Sequence, residues 1–220
     1  MANSSKIITI PRALFVFSLL YGGMTVLAGV VGNKQVALGP LAVEAGIFPF
    51  LMLVALSSAV AELYGQERAK QIVTFGFVPL IASMLLIILV LQIPASPKME
   101  VERLGAFEMI LGQSPRLMAA GIVAYGTSQF LNITIFSALR GKIGEAGSNM
   151  MMAVRGAIAS ALSQIVDTLL FISIAFYGVF PIAELMIGQM LAKTILSLLV
   201  IPFVIQAIVY IGRELDKDEA

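Results

Sequence analysis

The chain is a succession of long apolar stretches separated by short segments that gather most of its Lys and Arg. A helix needs about 20 residues to cross about 30 Å of hydrocarbon. Six stretches meet or approach that length, at about 12–32, 43–63, 71–93, 115–139, 151–177 and 181–211. The expected fold is an all-α integral membrane protein with six transmembrane helices in a single domain over residues 1–220. The second stretch is the least regular, because Pro40, Gly46 and Pro49 can leave its start unwound. The N-terminal stretch imitates a secretory leader, but it exceeds the usual apolar core of about 7–15 residues and reads as a retained first helix. Between the third and fourth stretches, Met99 to Leu111 fits either a short helix lying at the interface or a plain polar loop.

Composition supports the membrane reading. Of 220 residues, 59% are hydrophobic and 12% charged, with a mean hydropathy of +0.98. Soluble domains carry about 25% charged residues, so too few remain here to build a polar surface. The net charge of +1 and the absence of any basic block give no reason to expect a nucleic-acid partner. There is no Cys and no His, which excludes thiolate chemistry and the commonest metal ligand. No metal site or cofactor is expected. Ser163 and Asp167 lie one helical turn apart, but nothing supplies a base and oxyanion arrangement, so an enzyme is not expected. No phosphate-binding G-x-x-x-x-G-K-[ST] loop occurs, so the chain does not itself hydrolyse ATP.

The basic residues orient the spans. With the N-terminus inside, Lys6, Arg12, Arg68, Lys70, Arg140, Lys142, Arg213 and Lys217 face the cytoplasm, eight in all. Lys34, Lys98, Arg103 and Arg116, four in all, face outward. The positive-inside rule then puts both termini in the cytoplasm. Glu44 and Glu184 fall near the outer mouth in this arrangement.

A duplicated polar motif lies inside the apolar stretches. SQFLNITIF begins at Ser128 and SQIVDTLLF at Ser163, so Gln129, Asn132 and Phe136 are matched by Gln164, Asp167 and Phe171. Gln and Asn/Asp three residues apart share a helix face. The copies lie at similar distances from a turn centred near residue 146, so the two faces can meet at one depth. Inverted repeats around a central site are a common transporter design. Shared packing is the alternative. Asp167 and Lys193 are also equally far from a turn near residue 180, about 20 Å along each helix. Charges at that depth are expected to pair. The pair either fixes helix register or meets a cargo. Arg155 can snorkel to the interface or lie on the Asp167 face, and Glu62 is either a boundary residue or part of the site.

These stretches, with GNK at Gly32 to Lys34, AGIFPF at Ala45 to Phe50, AELYGQERAK at Ala61 to Lys70 and the run from Arg155 to Phe176, resemble the bacterial queuosine precursor transporter family, also described as vitamin uptake transporters. The resemblance covers about residues 20–205. It implies a multi-pass protein of the bacterial inner membrane that imports a purine-like small molecule, 7-cyano-7-deazaguanine or 7-aminomethyl-7-deazaguanine. Asp167 is then expected to take the donor edge of the ring. Gln164, Gln129 and Asn132 offer directed hydrogen bonds, and Phe136, Phe171 or Tyr125 a stacking surface. Lys193, Arg155 and Glu62 complete the candidate site. Three positions depart from the pattern common in the family: Ser58 and Asn132 where Asp is usual, and Gly29 where Asn is usual. The alternative reading is the substrate-binding membrane subunit of an ATP-driven vitamin or nucleobase uptake complex. The lipid bilayer is a partner in either case, and a homodimer or other transport-complex subunits are further candidates.

Overall fold

The computed structural model describes residues 10–32, 34–38, 41–112, 115–140, 149–178 and 182–217. Helix α1 (Arg12–Val31) leads into a hairpin of β1 (Gln35–Leu38) and β2 (Leu41–Glu44). There follow α2 (Ile47–Tyr64), α3 (Gln66–Gln92), α4 (Val101–Leu111), α5 (Pro115–Ala138), α6 (Asn149–Phe176) and α7 (Ala183–Lys217). The turns near residues 146 and 180, Lys6 and Lys142, and the side chains of Glu44, Arg116 and Glu184 lie outside the described residues.

The fold is all-α, as expected, with one short two-stranded hairpin between α1 and α2. Its strands are antiparallel, pairing Gln35 with Glu44 and Leu38 with Leu41. Helix α2 therefore starts at Ile47 and not near residue 43. Helix α3 starts at Gln66, because Gly65 at φ 88° turns the chain directly out of α2 and donates its N–H to the Ala61 carbonyl. That left-handed backbone suits glycine. Between the third and fourth apolar stretches the chain forms a helix, α4, with no buried residue. Helix α7 runs unbroken through Pro202 to Lys217, beyond the apolar stretch that ends near residue 211.

Five of the described helices, α1, α2, α3, α6 and α7, are long and apolar enough to cross a bilayer. Helix α5 has the length, but Ser128, Gln129 and Asn132 make it more polar. The polarity of the bundle is inverted relative to a soluble protein. Leu19, Phe75, Leu85, Leu199 and Phe203 are exposed, whereas Ser57, Ser58, Gln129, Asn132, Arg155, Gln164 and Asp167 are buried. Only an apolar solvent makes that distribution favourable. The chain is a multi-pass membrane protein.

Helix α2 sits at the centre, with 72% of its span buried against 17% for α1 and for α3. It packs on α1, α3, α5 and α7. Helices α5 and α6 run antiparallel, since Ser128 meets Asp167 while Phe136 meets Arg155. Helices α6 and α7 are likewise antiparallel, from the Asp167–Lys193 pair at one end to Gly156 against Ile205 at the other. At the N-terminal end of the bundle, Asp216 of α7 accepts hydrogen bonds from the Ala13 N–H (3.0 Å) and the Tyr64 hydroxyl (2.5 Å). A carboxylate at the first turn of α1 is where the helix dipole favours one.

Candidate functional site

At the opposite end of the bundle, a cavity of about 350 Å³ lies between α1, α2, α3, α5, α6 and α7, with Ile110 and Leu111 of α4 on its wall. Ligand pockets run from about 300 to 1,000 Å³, so this one suits a single ring system. Small residues make the room: Ala28, Gly29, Gly32, Gly46, Gly121 and Ala124. Gly46 lets α1 approach closely, because a Cβ there would lie 3.1 Å from the Gly32 Cα and 3.2 Å from the Ala28 carbonyl oxygen, tighter than ordinary contact. Among the described residues, the only charged ones lining the cavity are Asp167 and Lys193.

These two charges, placed at equal depth by the sequence, are paired. Lys193 Nζ donates to Asp167 Oδ2 at 2.9 Å, and Ser128 Oγ donates to Asp167 Oδ1 at 3.2 Å. A carboxylate offers about four acceptor positions, so two remain on Asp167. Lys193 also stands 5.5 Å from the ring centre of Phe50, within reach of a cation–π attraction. Phe171 and Tyr125 line the same cavity, and the Tyr125 ring is held edge-on by Phe50 and Phe77.

The other candidates lie deeper. Gln129 Oε1 accepts from Tyr21 and from Ser57, both at 3.3 Å. Tyr125 donates to Tyr21 at 2.7 Å, which connects the cavity wall to Gln129. Asn132 Nδ2 donates to Ser57 at 3.2 Å and to Ser58 at 3.1 Å. The two repeat copies therefore make different contacts: Asp167 faces Ser128 and Lys193, while Asn132 faces α2. Ser58 and Asn132, two of the three departures from the family pattern, are direct neighbours. Gln164 is fully buried, and neither of its polar atoms has a partner among the described residues.

Arg155, Glu62 and Phe136 form a separate centre. Arg155 Nη2 meets Glu62 Oε2 at 3.0 Å, both side chains are buried, and the guanidinium stacks 5.1 Å from the Phe136 ring centre. Arg155 therefore neither snorkels nor reaches the cavity, because Glu62 of α2 holds it inside. Glu62 is accordingly more than a boundary residue. Sequence reasoning missed Tyr21, Phe50, Ser57 and Ser128 as contributors. Ser128 was visible in the repeat and Phe50 in AGIFPF, but Tyr21 and Ser57 carry no spacing signal. Among the described residues, no group of three or more acidic side chains gathers where a metal ion could be held.

Comparison with known proteins bears on this geometry. The family model described as "Putative vitamin uptake transporter" matches residues 44–207, from the end of β2 through most of α7. A "Probable queuosine precursor transporter" of Bacillus subtilis (strain 168) is 28% identical over 186 residues, covering 83% of this chain and 79% of that protein. No solved structure matches. An apolar exterior around a core of buried polar side chains agrees with a membrane transporter. The chain belongs to the vitamin uptake and queuosine precursor transporter family, and it is a membrane transporter and not an enzyme.

Proposed function

We propose that this protein imports a 7-deazaguanine precursor of queuosine across the bacterial inner membrane, and that Asp167 recognises the cargo. The observation that carries the reading is a carboxylate with two remaining acceptor positions, on the wall of a cavity sized for one bicyclic ring. A guanine-like edge presents a ring N–H and an amino group side by side, which matches a carboxylate's two oxygens. Phe171, Tyr125 and Phe50 offer aromatic surface to the ring. Lys193 offsets the Asp167 charge, which makes the wall neutral overall and favours the neutral 7-cyano form over the cationic 7-aminomethyl form. Gln129, Asn132 and Gln164 serve the cargo at a deeper stage, and Phe136, Arg155 and Glu62 belong to the far end of its route.

The same reading takes α5 as a sixth crossing within a single transmembrane domain. An even number of crossings keeps both termini on the cytoplasmic side, and the cavity then faces outward. The antiparallel α5 and α6, carrying the two motif copies, act as an inverted pair about the route. Purified protein titrated with 7-cyano-7-deazaguanine, 7-aminomethyl-7-deazaguanine and adenine tests the reading by calorimetry. Binding is expected in that order, with adenine weakest because its edge offers no adjacent N–H and amino donors. Equal binding of all three would contradict recognition by Asp167.

A further inference from the structure

Polar side chains do not stop at the cavity. Tyr125 on the wall donates to Tyr21, and Tyr21 donates to Gln129. Ser57 reaches the same Gln129 oxygen and accepts from Asn132, which also donates to Ser58. Ser58 lies one turn before Glu62 on α2, and Glu62 holds Arg155. A continuous line of hydrogen-bonding groups thus runs from the cavity to the buried ion pair at the far end of the bundle. From Asp167 to Arg155 along α6 it covers about 18 Å at about 1.5 Å per residue.

The second side of this line is polar too, and it is unsatisfied. Ser160, Gln164 and Thr168 recur every four residues on α6, and Ser197 lies one turn beyond Lys193 on α7. The register set by Asp167 with Lys193 and Gly156 with Ile205 brings Ser197 level with Ser163 and Gln164. Ser160, Gln164, Thr168 and Ser197 are at most 1% exposed, and their side-chain oxygens, with the Gln164 nitrogen, have no hydrogen-bond partner among the described residues. Gln129 Nε2, Asn132 Oδ1 and Arg155 Nη1 are in the same position. Buried polar groups in a membrane bundle are costly unless paired. A bundle built for stability alone would place apolar side chains here.

We infer that this column is the inner half of the transport route, shut in this conformation, with Glu62–Arg155 as its gate. Parting that pair admits water, and the unpartnered amides and hydroxyls then supply successive hydrogen bonds to a neutral, hydrogen-bonding cargo. The inference rests on the transporter reading but not on the identity of the cargo. Two ion pairs bracket the column, Asp167–Lys193 on the cavity wall and the buried Glu62–Arg155 at the far end, so opening one end while the other stays closed keeps the membrane sealed.

The protein has no cysteine, so single substitutions report without background. Ser160→Cys and Ser197→Cys are compared with the exposed position Leu199→Cys in membrane vesicles. The probe is a small, charged methanethiosulfonate supplied from the Glu62 side. The Ser160→Cys and Ser197→Cys proteins are expected to be modified, and the Leu199→Cys protein is not. Adding Glu62→Gln should speed the reaction about tenfold by shifting the population towards the open state. The exchange Glu62→Arg with Arg155→Glu restores a pair and should return the slow rate, which separates gating from misfolding. Thiols in the column that react no faster than the one on the lipid-facing surface, in folded protein of both backgrounds, would overturn the inference. Reactive column thiols in a protein that binds no 7-deazaguanine would keep the route and reject only the proposed cargo.

Discussion

At Asp167 one carboxylate serves two neighbours, Ser128 through Oδ1 and Lys193 through Oδ2, and still faces a cavity. Replacing it with Asn keeps the shape but removes the charge that holds Lys193 and one acceptor position for a cargo. A charge-assisted hydrogen bond contributes about 1.5–3 kcal/mol, so Asp167→Asn should weaken 7-cyano-7-deazaguanine binding by about 10- to 100-fold, read by calorimetry. The Glu62–Arg155 pair has a different duty. Both groups are buried, so removing either partner leaves an uncompensated charge. Glu62→Ala or Arg155→Ala should each cost about 3–5 kcal/mol of stability. The double substitution should cost less than the two together, measured by unfolding in detergent. A purely additive result would show that the two side chains do not depend on each other.

At the scale of elements, the close approach of α1 to α3 controls the Tyr21 end of the network. A Cβ on Gly76 would lie 2.7 Å from Tyr21 Cε1. Gly76→Ala should therefore displace the Tyr21 ring, break its bonds to Gln129 and Tyr125, and cost about 1–3 kcal/mol of stability. Gly23→Ala, where a Cβ meets nothing within 4 Å, is the control for unfolding in the same detergent. Much of this arrangement was legible in the sequence. Long apolar stretches marked the helices, and equal distance from a turn paired Asp167 with Lys193. What was not legible depends on contacts between distant elements. Arg155 and Glu62 are 93 residues apart, and no periodicity joins α2 to α6. The repeat allowed its two copies to meet at one depth, and Ser128 of the first does reach Asp167 of the second, but Asn132 bonds instead to Ser57 and Ser58 of α2, a contact that no spacing in the sequence marks. The hairpin was hidden because four-residue strands are too short to show a period against apolar neighbours.

For the whole molecule, the proposed route runs from the cavity, taken to face outward, through the shut polar column to the Glu62–Arg155 pair at the far end. Its orientation is tested by reporter tags at residues 3, 105, 145 and 219. Residues 3, 145 and 219 should report the cytoplasm and residue 105 the outside; residue 105 on the cytoplasmic side would reverse the route. The central claim is import, and uptake tests it most directly. The measurement is entry of isotopically labelled 7-cyano-7-deazaguanine into cells lacking both its synthesis and their own transporter, comparing wild type with Asp167→Asn at matched membrane abundance. The account predicts uptake by wild type and its loss, by about tenfold or more, in the variant. A well-folded wild type that brings in no label, or a variant that transports as well as wild type, would contradict it.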